Sequence, residues 1–159
     1  MKTLKQWLDE YSESHLNPVN KTLHWICIPA IVFAIWCALK AIPFGNEEMN
    51  PAIAVALLAL AYYARLSWQL ALGATLGFGI MYAGVMLLQT LVGTHLAAVA
   101  AVVFVVAWAG QFVGHHIEGA KPSFFKDLQF LLIGPLWLLA DLYRRLDIPT
   151  GKQVATTVH

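Results

Sequence analysis

The sequence predicts an all-α integral membrane helical bundle with four transmembrane helices, an N-terminal amphipathic helix and a C-terminal re-entrant or short helical segment. Three observations carry this expectation. Of 159 residues, 59% are hydrophobic and only 12% charged, whereas a soluble domain carries about 25% charged residues to wet its surface. Apolar runs recur at lengths suited to the hydrocarbon core, which needs about 20 residues per helix. The lysines and arginines fall where four crossings would collect them on one side. The size fits one membrane domain over residues 1–145, followed by a tail over 146–159.

At the N-terminus, Thr3-Leu-Lys-Gln6 fits a capping box, and Leu4, Trp7, Leu8 and Tyr11 follow at helical spacing opposite Lys5, Asp9, Glu10 and Glu13. The spacing predicts an amphipathic helix over residues 3–14. Its apolar stripe suits either the headgroup boundary or docking onto the bundle. Asn17-Pro18 then signals a new start, because Asn is a good N-cap and Pro is pre-shaped for the first helical position. The first span, 18–44, carries no formal charge between Leu23 and Leu39, with Lys40 free to reach outward. A polar loop containing Asn46, Glu47, Glu48 and Asn50 precedes the second span, 50–65, which is short for a crossing and must borrow either Met49 to Pro51 or the aromatics Tyr62 and Tyr63 at its end.

No charged residue occurs from Leu66 to Gly114, a length that accommodates two crossings and far exceeds one. We place them at 67–91 and 94–116, with Gly93-Thr94-His95 as the turn. Gly73-xxx-Gly77 and Gly110-xxx-Gly114 have the spacing that lets helices approach closely in lipid, and they read as packing features. The last apolar segment, within 123–145, is interrupted by Gly134-Pro135 and bounded by Asp127 and Asp141, so a half-buried hairpin is expected rather than a crossing. Lys2, Lys5, Lys21, Arg65, Lys121, Lys126, Arg144 and Arg145 then share one face, which puts both termini in the cytoplasm. The membrane would be a bacterial inner membrane or the endoplasmic reticulum.

Composition also excludes partners. A net charge of +1 without a basic run lacks the footprint that nucleic-acid binding requires, so no nucleic acid is expected. Cys27 and Cys37 lie in one apolar run, where thiols behave as small buried hydrophobes. Residues 1–21 are charged and amphipathic, unlike a cleavable signal peptide, so the N-terminus is expected to be retained.

The expected topology brings His15, His24, His115 and His116 to one membrane boundary and leaves His95 on the other side. Neutral imidazole is the commonest protein ligand for Zn, Fe and Cu, so three or four together point to a metal site. Asn20 and His24 share a helical face, as do His115 and Glu118, whereas His115 and His116 point about 100° apart on a helix. His95 and His159 read as surface residues. Asn17 and Asn20 suit either the site or helix capping, and Glu118 suits either the site or an ion pair with Lys121.

Tyr11-Ser-Glu-Ser-His15-Leu-Asn17-Pro-Val-Asn20-Lys-Thr-Leu-His24, followed by Pro29, and Gln111-Phe-Val-Gly114-His115-His-Ile-Glu118 with Lys121-Pro122 and Gly134-Pro135, resemble the 2-hydroxy fatty acid dioxygenases. The resemblance extends from the first helix to Tyr143. It implies Fe(II)-dependent alpha-oxidation, in which a long-chain 2-hydroxy fatty acid reacts with O₂ at the lipid bilayer and is shortened by one carbon. By the matching motif, His15, His24 and His115 would be the iron ligands. His116 and Glu118 are then the catalytic candidates, and Asn17, Asn20 and Lys121 the substrate-binding ones. Three protein ligands suit that chemistry, because positions must stay open for substrate and O₂.

Rival readings use the same histidines. A zinc-dependent membrane lipid hydrolase would activate water instead of O₂. A haem-binding module would need only two axial imidazoles, and a non-enzymatic membrane scaffold would need none.

Overall fold

Helix-starting signals in the chain become helix starts in the computed structural model, which describes residues 2–46, 49–121 and 129–151. Among the described residues there are six α-helices, one 3-10 turn and no strand. They are α1 (Leu4–Ser12), α2 (Pro18–Lys40), α3 (Pro51–Leu66), α4 (Trp68–Val92), α5 (Leu96–Glu118) and α6 (Gln129–Arg145), with the 3-10 turn at Gly93–His95 between α4 and α5. The expected residues 122–128, Glu47 and Glu48, and the tail from 152 to His159 lie outside the described residues.

Local chemistry explains the starts. Thr3 Oγ1 accepts from Gln6 N at 3.3 Å while Gln6 Oε1 accepts from Thr3 N at 2.8 Å, completing the capping box. Asn17 caps α2 by accepting from Val19 N at 2.9 Å, and Asn50 caps α3 by accepting from Ala52 N at 3.1 Å. Each of these Asn caps is followed by Pro in the first turn, where the missing N–H has no partner to lose. The helix α2 ends at Lys40, short of the expected residue 44, because Pro43 disfavours helical backbone at Ile42. Lys40 itself is buried rather than reaching outward.

The helix directions follow from residue pairs. Asn20 meets Gly114 and Cys27 meets Gly110, while Trp36 and Cys37 cluster with Leu96 and Ala100, so α2 and α5 run antiparallel along most of their length. A Cβ on Gly110 would sit 2.6 Å from Cys27 Sγ and one on Gly114 would sit 2.3 Å from Asn20 Oδ1, so these glycines set the helix separation. The other glycine pair behaves differently: Gly73 faces Tyr143, but nothing lies within 4 Å of a Cβ on Gly77. At the far end Asn50 Nδ2 donates to Tyr82 Oη at 2.9 Å, and at the near end Tyr63 Oη donates to the Leu132 carbonyl at 2.8 Å. Helices α2 to α5 therefore alternate in direction.

Between the two readings of α1, the structure selects docking. Leu4, Trp7, Leu8 and Tyr11 are buried against Phe130, Ile133, Leu136 and Trp137 of α6 in the main core cluster. Trp7 meets Phe130 edge-on at 5.4 Å, and Trp137 Nε1 donates to Ser12 Oγ at 2.9 Å. The described part of the last segment is one continuous helix through Gly134 and Pro135, not a hairpin. Proline costs one backbone hydrogen bond there, and packing of Ile133, Leu136 and Trp137 holds the helix together.

Two continuous helical stretches, Pro18–Lys40 and Trp68–Glu118, are long and apolar enough to cross a membrane. The second contains the 3-10 turn at Gly93–His95, where the expected reversal occurs.

Candidate metal centre

Three sequence segments meet where α1 ends, α2 begins and α5 ends. His15 lies just beyond α1, His24 lies in the second turn of α2, and His115 lies in the last turn of α5. His15 and His24 have no exposed surface and His115 is 3% exposed. Ring centroids are 4.2 Å apart for His15 and His24, and 4.9 Å from each of these to His115. One ring nitrogen from each lies within 4.8 Å of those from the other two.

The hydrogen bonds decide which nitrogens are available. His15 Nδ1 donates to the Tyr11 carbonyl at 2.5 Å and His24 Nδ1 donates to the Asn20 carbonyl at 2.9 Å. Each bond places the proton on Nδ1 and leaves a lone pair on Nε2. His15 Nε2, His24 Nε2 and His115 Nδ1 are buried without a hydrogen-bond partner. An unsatisfied buried polar atom costs about 1–3 kcal/mol, so three in one cluster call for a ligand. The donor set fits a divalent transition metal with three imidazoles.

Burial, reinforced by the neighbouring His24, lowers the pKa of His15 to about 3, which keeps it neutral at physiological pH. Tyr11 stacks on the His15 ring at 4.3 Å and Trp137 approaches it at 5.3 Å, so α1 and α6 lock its orientation.

Glu118 holds the turn that carries His15. Its carboxylate accepts from Leu16 N at 2.9 Å, from Asn17 N at 2.9 Å and from Asn20 Nδ2 at 3.0 Å. Asn20 is fully buried and also donates to the Ser14 carbonyl at 3.1 Å. Thus Asn17, Asn20 and Glu118 are brought together around the α1–α2 turn, with Asn17 serving as the cap of α2. Charge-assisted bonds of this kind are roughly twice as strong as neutral ones. By contrast, His116 and Lys121 are exposed, and His116 is not part of the buried histidine group.

Sequence reasoning missed two participants. Gln111, one helical turn before His115, is 5% exposed and its Nε2 has no partner. Its i,i+4 relation to His115 was a signal for a shared face. Tyr11 contributes its carbonyl and ring to His15, a role that no spacing rule specifies. An apolar groove extends from His115 and Gln111 past Trp108 along α5, walled by Ile28, Ile31 and Val32 of α2 and by Phe130, Leu131, Gly134 and Pro135 of α6.

Fold and site together define a protein that is helical throughout its described residues, with a buried three-histidine cluster that could hold a metal ion beside an apolar groove. The family model described as 2-hydroxy-palmitic acid dioxygenase Mpo1-like matches residues 1–146. The chain belongs to this family, the one its histidine blocks resemble. No curated protein and no solved structure matches the chain.

Proposed function

We propose that the chain is an iron(II)-dependent membrane dioxygenase that shortens long-chain 2-hydroxy fatty acids by one carbon. The observation that carries this reading is the set of three buried imidazole nitrogens without partners, in a chain whose family is named for 2-hydroxy-palmitic acid dioxygenase. His15, His24 and His115 would hold the iron, which supplies O₂ chemistry when bound. Tyr11 and Asn20 orient two of these rings through backbone carbonyls, and Glu118 acts by positioning the turn rather than by proton transfer. His116 and Lys121, exposed at the same end, would meet an approaching carboxylate first. Asn17 and Asn20 shape the inner side of that approach.

A bilayer setting is supported by what the helices leave uncovered. On α4, Leu72, Leu76, Ile80, Leu87 and Leu91 form a stripe in which every residue is at least 61% exposed, and water would penalise such a surface. At 23 and 25 residues, α2 and α4 are each about 34–38 Å long, enough to cross about 30 Å of hydrocarbon. The alternating directions of α2 to α5 support four crossings, with the histidine end and both termini on the cytoplasmic side. A groove running inward from His115 would let an acyl tail lie in apolar surroundings while its polar head stays at the histidine end.

Oxygen uptake is the test. Protein supplied with iron(II) and 2-hydroxypalmitate should consume O₂ and form the acid one carbon shorter, whereas palmitate should be a poor substrate. Zinc should support no turnover, because it has no redox chemistry. The same three imidazoles would also suit zinc, so full activity with zinc or product formed without O₂ would replace this reading with the hydrolase.

A further inference from the structure

The groove is apolar along most of its wall, and its polar side chains among the described residues are Tyr11, Gln111 and His115. His115 belongs to the metal cluster, and the Tyr11 ring is stacked on His15. Gln111 hydrogen-bonds His24 through its carboxamide, and the nitrogen of that group is buried and unpartnered. The residue sits one turn inward of His115 on the same face of α5, with Trp108 about one further turn along the groove. A molecule lying along this groove with its oxygens at the histidines must therefore pass Gln111 before its chain reaches Trp108. Burying an amide N–H without an acceptor is unfavourable, so something bound in the groove should supply one.

We infer that Gln111 is a substrate-binding residue: its carboxamide N–H donates to a carboxylate or hydroxyl oxygen of the acyl ligand while the chain lies between Trp108, α2 and α6. This rests on the 2-hydroxy acid reading above. Gln111 fixes the head of the ligand at the mouth of the histidine cluster, and the apolar wall accepts the first part of the chain regardless of what lies beyond it. Specificity is thereby divided between one polar donor and a groove that reads only shape and apolarity. Sites built to hydrogen-bond a ligand reject analogues lacking that group far more strongly than apolar pockets do.

The test is binding, measured by tryptophan fluorescence on zinc-loaded protein in lipid nanodiscs, where no turnover confuses the titration. Gln111→Met keeps the side-chain length and removes the donor. Loss of a hydrogen bond to a charged group should raise the dissociation constant for 2-hydroxypalmitate by about 10- to 100-fold. Binding of hexadecane, which has no acceptor, should change less than about 2-fold when both proteins are saturated with zinc. A merely structural role would move both ligands together. If Gln111→Met does not fold, Gln111→Glu decides, because a carboxylate there should repel 2-hydroxypalmitate while sparing the uncharged 1,2-hexadecanediol. Equal affinity of wild type and Gln111→Met for 2-hydroxypalmitate, or equal losses for both ligands of either pair, would overturn the assignment. Failure of the wild-type protein to bind 2-hydroxypalmitate at all would instead sink the substrate reading on which it rests.

Discussion

Replacing Gly114 by alanine places a methyl group where α2 and α5 are closest. The new Cβ would lie 2.3 Å from Asn20 Oδ1, 3.4 Å from Asn20 Cγ and 3.5 Å from Leu23 Cδ1. Restoring ordinary contact requires Asn20 to retreat by about 1 Å. That side chain is short and tied by bonds of 3.1 Å to the Ser14 carbonyl and 3.0 Å to Glu118, so it cannot retreat without breaking at least one. Overpacking costs about 1–3 kcal/mol, and loss of a hydrogen bond to a charged group about 1.5–3 kcal/mol. Helix propensity returns about 1 kcal/mol for Gly to Ala. The net expectation is a loss of about 1.5–5 kcal/mol, with metal affinity falling about 10- to 100-fold as an orienting shell is disturbed. Thermal unfolding in detergent and metal titration measure the two effects. Gly77→Ala is the control, since its Cβ meets nothing within 4 Å, and it should be neutral or gain up to about 1 kcal/mol. If Gly114→Ala matches Gly77→Ala in both assays, the proposed link from helix separation through Asn20 to the histidines is wrong.

His15→Ala, His24→Ala and His115→Ala should each lower metal affinity by more than the roughly 100-fold that marks loss of an orienting partner, while His95→Ala and His116→Ala keep it; metal analysis of the purified variants separates the two groups. Glu118→Ala strips acceptors from Leu16 N, Asn17 N and Asn20 Nδ2 and should cost about 2–3 kcal/mol, with Glu118→Gln losing less because one acceptor oxygen survives; equal unfolding temperatures for all three proteins would refute the clamp. The metal-free protein should lose stability as pH falls from 6.5 towards 5. The folded pKa of His15 is about 3 against 6.5 in the unfolded chain, so between these values only the unfolded form takes up the proton and is favoured. Unfolding temperatures across that range should show a smaller slope for His15→Gln, and an unchanged slope would contradict a buried neutral His15.

Much of this was legible because it is local. The capping box at Thr3, the Asn-Pro starts of α2 and α3 and the turn at Gly93–His95 depend on neighbouring residues, and the structure has each of them. The convergence of His15, His24 and His115 was legible because helix order and direction suffice to bring α2's start and α5's end together. The clamp by Glu118 was not, since its partners lie 98 to 102 residues away in sequence and an ion pair with Lys121 satisfied the same local pattern. The docking of α1 depended on whether α6 offered an apolar face at the right height, which Phe130 and Trp137 supply. Gly134-Pro135 suggested a break because proline usually imposes one, yet tertiary packing carries α6 through it.

Whether His15, His24 and His115 hold iron is decided by metal analysis of anaerobically purified protein. One iron(II) per chain is expected in the wild type, retained in His95→Ala and lost in His115→Ala. Stoichiometric zinc in place of iron, or iron that survives removal of His115, would contradict a three-histidine iron centre.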